Sequence, residues 1–216
     1  LKPREGIRYT RVSYINENRT KRMRAFLNEF ASYDELTLSI SAILDNLSFG
    51  VDSDKFEEAL RILGELLGFI SQRPDKEIRK GPDNLWCGVN DQYFMFECKS
   101  EVDESRSEIN KHEAGQMNSH CGWFEAEYGK EASVTRFLIV PTRELSYAAN
   151  FTHDVKIIRK GKLREFKTNI KNFVKELAPY SLADISDETL QHFIELHKLD
   201  VENIPEYSEG YFHKTK

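Results

Sequence analysis

Apolar residues recur along the chain with two different spacings, which predict helices in some segments and strands in others. Residues 17–31 and 34–47 have helical spacing and predict two helices. Over residues 54–71 the same spacing places the large apolar side chains on one face, and Asp54 followed by Glu57 predicts a capping box that starts this helix. The first third of the chain is therefore predicted to be helical.

Strand patterns begin after residue 83. The aromatic run from Tyr93 to Phe96 is typical of a strand buried on both faces. The predicted strands cover residues 84–89, 92–99, 134–140 and 154–158. Further helices are predicted over residues 104–127, 163–178 and 186–199, with a polar, loose tail after Pro205. This order of elements indicates an α/β protein with a mixed sheet covered by helices.

The length and composition fit one central domain with extensions. We predict a helical prefix over residues 1–50, a core over 51–180, and a C-terminal helix with a polar tail over 181–216. No apolar run is long enough to span a membrane, and three cysteines without CxxC spacing favour a reducing, cytoplasmic location. Because the chain begins with Leu1 and no signal-peptide pattern, we expect a piece of a longer protein.

Two acids and a lysine lie at the ends of the predicted strand pair. Side chains alternate along a strand, so Glu97 and Lys99 share one face. A two-residue turn would place Asp83 opposite Cys98, whereas a connection with an odd number of residues, or one bulge, would place Asp83 opposite Glu97. We predict the odd register. Two carboxylates that close repel each other unless a cation lies between them, and oxygen ligands favour Mg²⁺ or Mn²⁺ over zinc.

This motif resembles the PD-(D/E)XK nucleases of the restriction-endonuclease-like superfamily. The match consists of Pro82-Asp83, thirteen intervening residues, and Glu97-Cys98-Lys99, and the resemblance covers roughly residues 53–160. It implies a restriction-endonuclease-like mixed central sheet flanked by helices, here with helical N- and C-terminal extensions. It also implies fusion to, or association with, a helicase or another ATPase.

The resemblance implies a role for each site residue. Asp83, Glu97 and the backbone carbonyl of Cys98 would hold Mg²⁺, and Lys99 would position or activate the nucleophile. An acid on the upstream helix would be a further metal ligand; Glu57 is preferred because it borders the apolar stripe beside Gly64 and Gly68, and Glu65 stays the alternative. Gln116 would orient the water or contact a phosphate, unless it is a surface residue. His120, on the same helix, is a weaker candidate for facing the site.

The net charge of −5 does not by itself indicate a nucleic-acid-binding protein. A basic cluster late in the chain includes Lys156, Arg159, Lys160 and Lys162, which we predict to contact nucleic acid. The alternative is that these cations form a solvated face.

The predicted function is metal-dependent hydrolysis of DNA phosphodiester bonds, by one domain of a restriction, repair or defence protein. The first alternative is a module of the same fold that binds nucleic acid or protein without cleavage. The second is an interaction domain in which the motif is accidental. The sequence leaves the oligomeric state open.

Overall fold

The computed structural model describes residues 8–13 and 18–215, so the start of the predicted prefix, residue 17 and residue 216 lie outside the described residues. The helices are α1 (Arg19–Leu27), α2 (Tyr33–Asn46), α3 (Ser53–Leu66), α4 (Pro74–Ile78), α5 (Lys111–Tyr128), α6 (Lys160–Glu176) and α7 (Asp187–Leu196). The strands are β1 (Ile70–Gln72), β2 (Asn84–Cys87), β3 (Tyr93–Cys98), β4 (Val134–Ile139), β5 (Glu144–Leu145), β6 (Lys156–Ile158) and β7 (Phe212–His213). Short 3-10 helices cover Val89–Asp91 and Ile204–Tyr207.

The central sheet has five strands in the order β1-β2-β3-β4-β6. The first three strands are antiparallel, and β3, β4 and β6 are parallel, so the sheet is mixed as predicted. In the parallel part, Cys98 pairs with Ile139 and Ile139 pairs with Ile158. The carboxyl ends of these three strands therefore lie along one edge of the sheet.

The register between β2 and β3 is the one predicted for a connection with an odd number of residues. Asn84 lies opposite Phe96 and Cys87 opposite Tyr93, across a connection that contains a 3-10 turn. Two residues of that turn, Asn90 and Asp91, adopt the left-handed region, with φ of 56° and 52°. One step beyond the last printed pair, this register places Asp83 opposite Glu97. Asp83, Glu97 and Lys99 therefore share a face of the sheet.

Helices cover both faces of the sheet. The larger core joins α1, α2, α3, α6 and α7 to the face that includes Trp86, Phe94 and Phe96. The smaller core joins α5 to the opposite face, which includes Leu85 and Met95. Because side chains alternate along β3, Glu97 and Lys99 point to the α5 side of the sheet. Trp86 and Phe124 are core residues.

The predicted start and end of α3 were wrong. Asp52 is the N-cap and accepts a hydrogen bond from Lys55 N, so Asp54 and Glu57 form no capping box. The helix ends at Leu66 because Gly68 adopts a left-handed φ of +79°, and residues 70–72 form the edge strand β1 instead of a last helical turn. The apolar residue Ile70 fits either pattern, which explains the error.

The start of α5 and the C-terminal tail also differ from the prediction. Helix α5 begins at Lys111 and not at residue 104, because Asn110 and Glu113 form a capping box that fixes its start. The tail after Pro205 is ordered: β7 pairs with β5, and Glu209 exchanges backbone hydrogen bonds with Ile157 of β6. Within the described residues, no helix is both long and apolar enough to cross a membrane.

Candidate active site

The turn before β2 delivers Asp83 to the site. Gly81 has a φ of +87°, which favours glycine, and a Cβ at this position would lie 2.8 Å from the ring of Trp123 on α5. Asp83 is 8% exposed, and its Oδ2 accepts the Cys98 backbone N–H at 2.6 Å. The turn and this hydrogen bond hold the carboxylate against the end of β3.

Glu97 lies at the centre of a hydrogen-bonded group. Its side chain is fully buried. Lys99 Nζ lies 2.8 Å from Glu97 Oε1 and 2.9 Å from Gln116 Oε1, while His120 Nδ1 lies 2.6 Å from Glu97 Oε2. Gln116 and His120 are four residues apart on α5, so both face the sheet at the same place. Gln116 therefore lies beside Glu97 and Lys99, as predicted. One Glu97 oxygen contacts Lys99 and the other contacts His120.

The ionisable groups of the site perturb one another. Burial raises the pKa of Asp83 well above its ordinary value, and the negative charges of Glu97 and Glu57 raise it further. Burial also acts to raise the pKa of Glu97, but the hydrogen bond and charge of His120 and the charge of Lys99 outweigh it, so this pKa is lowered. Burial acts to lower the pKa of Lys99, but the neighbouring Glu97 and Asp83 charges raise it. Lys99 is therefore a cation beside two acids.

Glu57 approaches the site from α3. The Asn84 side-chain amide donates to Glu57 O at 2.9 Å and so fastens α3 to β2 beside Asp83. Burial raises the pKa of Glu57, with the charge of Glu97 adding to it, while a hydrogen bond from Arg73 acts in the opposite direction. Of the two upstream acids, Glu57 is the one near the site, since Glu65 pairs with Arg61 on the exposed side of α3.

Arg73 is a site residue that the sequence did not indicate. Its side chain is 6% exposed, and it forms ion pairs with Asp54, Glu57 and Glu58. Arg73 follows β1, which the sequence pattern had assigned to the end of α3, so its position beside these acids was hidden by the wrong element boundary. The signal that was present is the cluster of three acids in one helical turn, which requires a cation.

His120 was undervalued for a different reason. A histidine on an amphipathic helix is usually a surface residue, and only the register of α5 over β3 shows that it contacts Glu97. With Glu97 ionised, the carboxylate can only accept, so Nδ1 carries the proton of this hydrogen bond. His120 thereby holds one Glu97 oxygen in a fixed direction.

The predicted nucleic-acid-binding residues each have an acidic partner. Lys156 pairs with Asp154, Arg159 with Glu209, Lys160 with Glu104 and Lys162 with Glu165. Lys160 is the first residue of α6, at the edge of the sheet where the parallel strands end. Contact of the four residues with nucleic acid stays a prediction.

Carboxylate oxygens are the type of donor that hard divalent cations prefer, but the carboxylates here contact basic side chains. Among residues 8–13 and 18–215, no three His, Cys, Asp or Glu side chains form a ready cluster for a metal ion. The physical reason lies in the contacts above, because Glu97 faces Lys99 and His120, and Glu57 faces Arg73. Burial raises the pKa of Asp83, and the charges of Glu97 and Glu57 raise it further, so a cation beside these carboxylates would relieve part of that repulsion.

Comparison with protein-family models, with curated proteins and with solved structures finds no match to this chain.

Proposed function

We propose that the protein is a metal-dependent nuclease that hydrolyses DNA phosphodiester bonds, with a restriction-endonuclease-like core of the PD-(D/E)XK type. The observation that carries the proposal is the register of β2 against β3, which puts Asp83 on the same face as Glu97 and Lys99. An even register would have placed Asp83 on the opposite face of the sheet, so the register could have contradicted the proposal. The hydrogen bond from Lys99 to Gln116 adds a further polar group of the expected type.

The carboxylates of Asp83, Glu97 and Glu57, with the Cys98 carbonyl, would hold Mg²⁺ or Mn²⁺. Such an ion lowers the pKa of a bound water and stabilises negative charge on the phosphate. Lys99, fixed by Glu97 and Gln116, places its ammonium where the nucleophile or the phosphate oxygens come to lie. His120 keeps Glu97 oriented, and the helicase or ATPase partner implied by the resemblance would deliver the DNA.

The first test is cleavage of linear, circular and single-stranded DNA with Mg²⁺ or Mn²⁺. We expect Lys99→Ala to lose about 10²-fold or more of the rate, because it removes a cation aimed at developing charge. The matched control is Lys130→Ala, an exposed lysine two residues after the end of α5. Cleavage that needs no metal, or equal rates for Lys99→Ala and the unaltered protein, would contradict the proposed metal-dependent site. No cleavage by the unaltered protein with either ion would favour the non-cleaving binding module.

The second test measures the ion without activity. A ligand that binds only the folded state stabilises it by about 2.7 kcal/mol at a concentration 100 times its dissociation constant. We therefore expect Mg²⁺ to raise the melting temperature of the unaltered protein and to have a much smaller effect on Asp83→Asn. An equal rise in both proteins would mean that the ion binds elsewhere.

A further inference from the structure

Helix α6 carries four cations on one face. Lys160, Arg164, Lys167 and Lys171 are spaced by four, three and four residues. At 3.6 residues per turn these positions fall within an arc of about 60°. We call these four residues the α6 stripe. Lys162 lies on nearly the opposite side of the helix and does not belong to it.

Most of the stripe lacks an acidic partner of the kind that Lys162 has on the opposite side of the helix. Lys160 pairs with Glu104, but Lys167 Nζ donates to two neutral acceptors, Leu47 O at 2.8 Å and Ser48 Oγ at 2.7 Å. Among the described residues, Arg164 and Lys171 have no carboxylate within ion-pair distance. Burial and the charge of Lys171 lower the pKa of Lys167, although Asp45 opposes them. Neighbouring like charges without an ion-paired acid destabilise the fold and attract an external anion.

A cleft runs beside the stripe. Its volume is about 250 Å³, and its walls include Ser48 and Phe49 on one side and Arg164 and Lys167 on the other. Gly50, which adjoins the cleft, donates its N–H to the carbonyl oxygen of Ser100 at 2.8 Å, and Ser100 directly follows Lys99 in the chain. The cleft therefore opens at the edge of the sheet where β3 ends.

The stripe also begins at this edge. Strand β6 ends at Ile158, in register with the end of β3 through β4, and α6 starts two residues later. Neighbouring strands lie about 4.8 Å apart, so roughly 10 Å of sheet separates the start of the stripe from the strand that carries Glu97. Glu104, the partner of Lys160, belongs to the loop that connects β3 to α5.

We propose that the α6 stripe and its cleft bind the sugar-phosphate backbone of a nucleic acid strand as it leads to the Asp83, Glu97 and Lys99 site. The proposal deepens the nuclease function and rests on it for the direction of the strand. From Lys160 to Lys171 the stripe is about 16 Å long, which corresponds to about five phosphates along one strand of a duplex. The evenly spaced cations of the stripe match a ligand whose anionic groups repeat at regular intervals.

An anionic membrane is a poorer fit to the same charges. A helix that lies on a bilayer inserts an exposed apolar face. The apolar face of α6, which includes Leu163, Phe166, Ile170 and Phe173, is buried in the protein core. None of the exposed large apolar side chains of the described residues belongs to α6. The stripe therefore offers charge and no group for insertion.

The test is binding of a fluorescein-labelled 20-nucleotide single strand and a 20-base-pair duplex, measured by anisotropy in EDTA between 50 and 200 mM KCl. The stripe variant is Arg164→Gln/Lys167→Gln/Lys171→Gln. The matched control, Arg11→Gln/Lys130→Gln/Lys198→Gln, removes one exposed arginine and two exposed lysines from other surfaces. We expect the stripe variant to bind roughly tenfold more weakly, or worse, at 0.1 M salt, with its salt slope reduced by about 2 to 3. The control should stay within twofold.

Because Lys167 also contacts α2, circular dichroism and the double variant Arg164→Gln/Lys171→Gln separate a folding defect from a loss of contacts. Equal losses of DNA affinity in the stripe and control variants would show that overall charge, and not the stripe, governs binding. Unchanged DNA affinity in a folded stripe variant would likewise overturn the proposal. So would stripe-dependent binding to phosphatidylserine vesicles in place of DNA. Binding through the stripe without cleavage would support this proposal and contradict the nuclease function. Cleavage that depends on Lys99 but not on the stripe would support the nuclease function and contradict this proposal.

Discussion

Gly64 is a place where α3 and the sheet come very close together, and replacing it tests both the packing and the site. A Cβ at Gly64 would lie 2.5 Å from Trp86 Nε1, 2.7 Å from Trp86 Cε2 and 2.8 Å from Ser71 Oγ. Trp86 is 1% exposed, and its ring stacks on Phe69 with centroids 5.2 Å apart. The indole cannot move aside without disturbing the larger core, so we predict that Gly64→Ala destabilises the fold.

The expected size follows from two opposing effects. Overpacking a close-packed core costs about 1 to 3 kcal/mol. Alanine in place of glycine regains at most about 1 kcal/mol of helix propensity, and less near the end of a helix. With about 0.5 kcal/mol regained near the helix end, a net loss of about 0.5 to 2.5 kcal/mol remains.

Gly122 supplies the matched control. It lies inside α5, and a Cβ there meets no atom within 4 Å. Gly122→Ala should therefore stabilise the protein by about 0.5 to 1 kcal/mol, from propensity alone. The same chemical change is expected to have opposite signs in the two helices.

Urea unfolding followed by far-ultraviolet circular dichroism gives both free energies of unfolding, and a change of 1 kcal/mol corresponds to about 2 to 4 °C in melting temperature for a chain of this size. If Gly64→Ala is as stable as the unaltered protein, or if both variants shift in the same direction, the close approach of α3 to β2 is wrong. Because α3 also carries Glu57, Gly64→Ala should weaken the Mg²⁺-induced rise in melting temperature, whereas Gly122→Ala should leave it unchanged.

Two further predictions concern ion pairs outside the central group. Arg73→Met leaves Glu57 and two more exposed acids without their buried cation, and we expect a loss of about 2 to 4 kcal/mol in urea unfolding. The control Arg61→Met, which breaks partly exposed ion pairs within α3, should cost about 1 kcal/mol or less, and equal losses would contradict the greater importance of the buried Arg73. Glu209→Gln should be less stable at pH 7 by about 1 kcal/mol or less. The hydrogen bond from Arg159 holds the pKa of Glu209 below its ordinary value, so this stabilisation exists above the unfolded pKa of about 4.3 and is lost as the pH falls through the folded pKa. The two proteins should therefore converge in stability once the pH falls below the folded pKa of Glu209, and a difference that persists in the acid limit would contradict the assignment.

The sheet register was predictable because few alternatives were compatible with the chemistry. Side-chain alternation placed Glu97 and Lys99 together, and only an odd connection brought Asp83 to them. The short edge strand β1 was not predictable in the same way, because three residues after a left-handed glycine carry too little periodicity to separate a strand from a last helical turn. That one boundary also concealed Arg73.

The acidic side chains of the site were easier to predict from the sequence than the basic side chains, for a physical reason. A spaced motif marks the residues that one strand pair brings together, whereas a counter-charge can come from any element that packs nearby. His120 reaches Glu97 from α5, and Arg73 reaches Glu57 from the end of β1. Burying a carboxylate is costly unless a cation or donor accompanies it, so a fold that buries Glu97 completely had to provide such groups. The protein thus balances its own acids, and a metal ion entering the site would have to take over contacts that Lys99 and His120 now make.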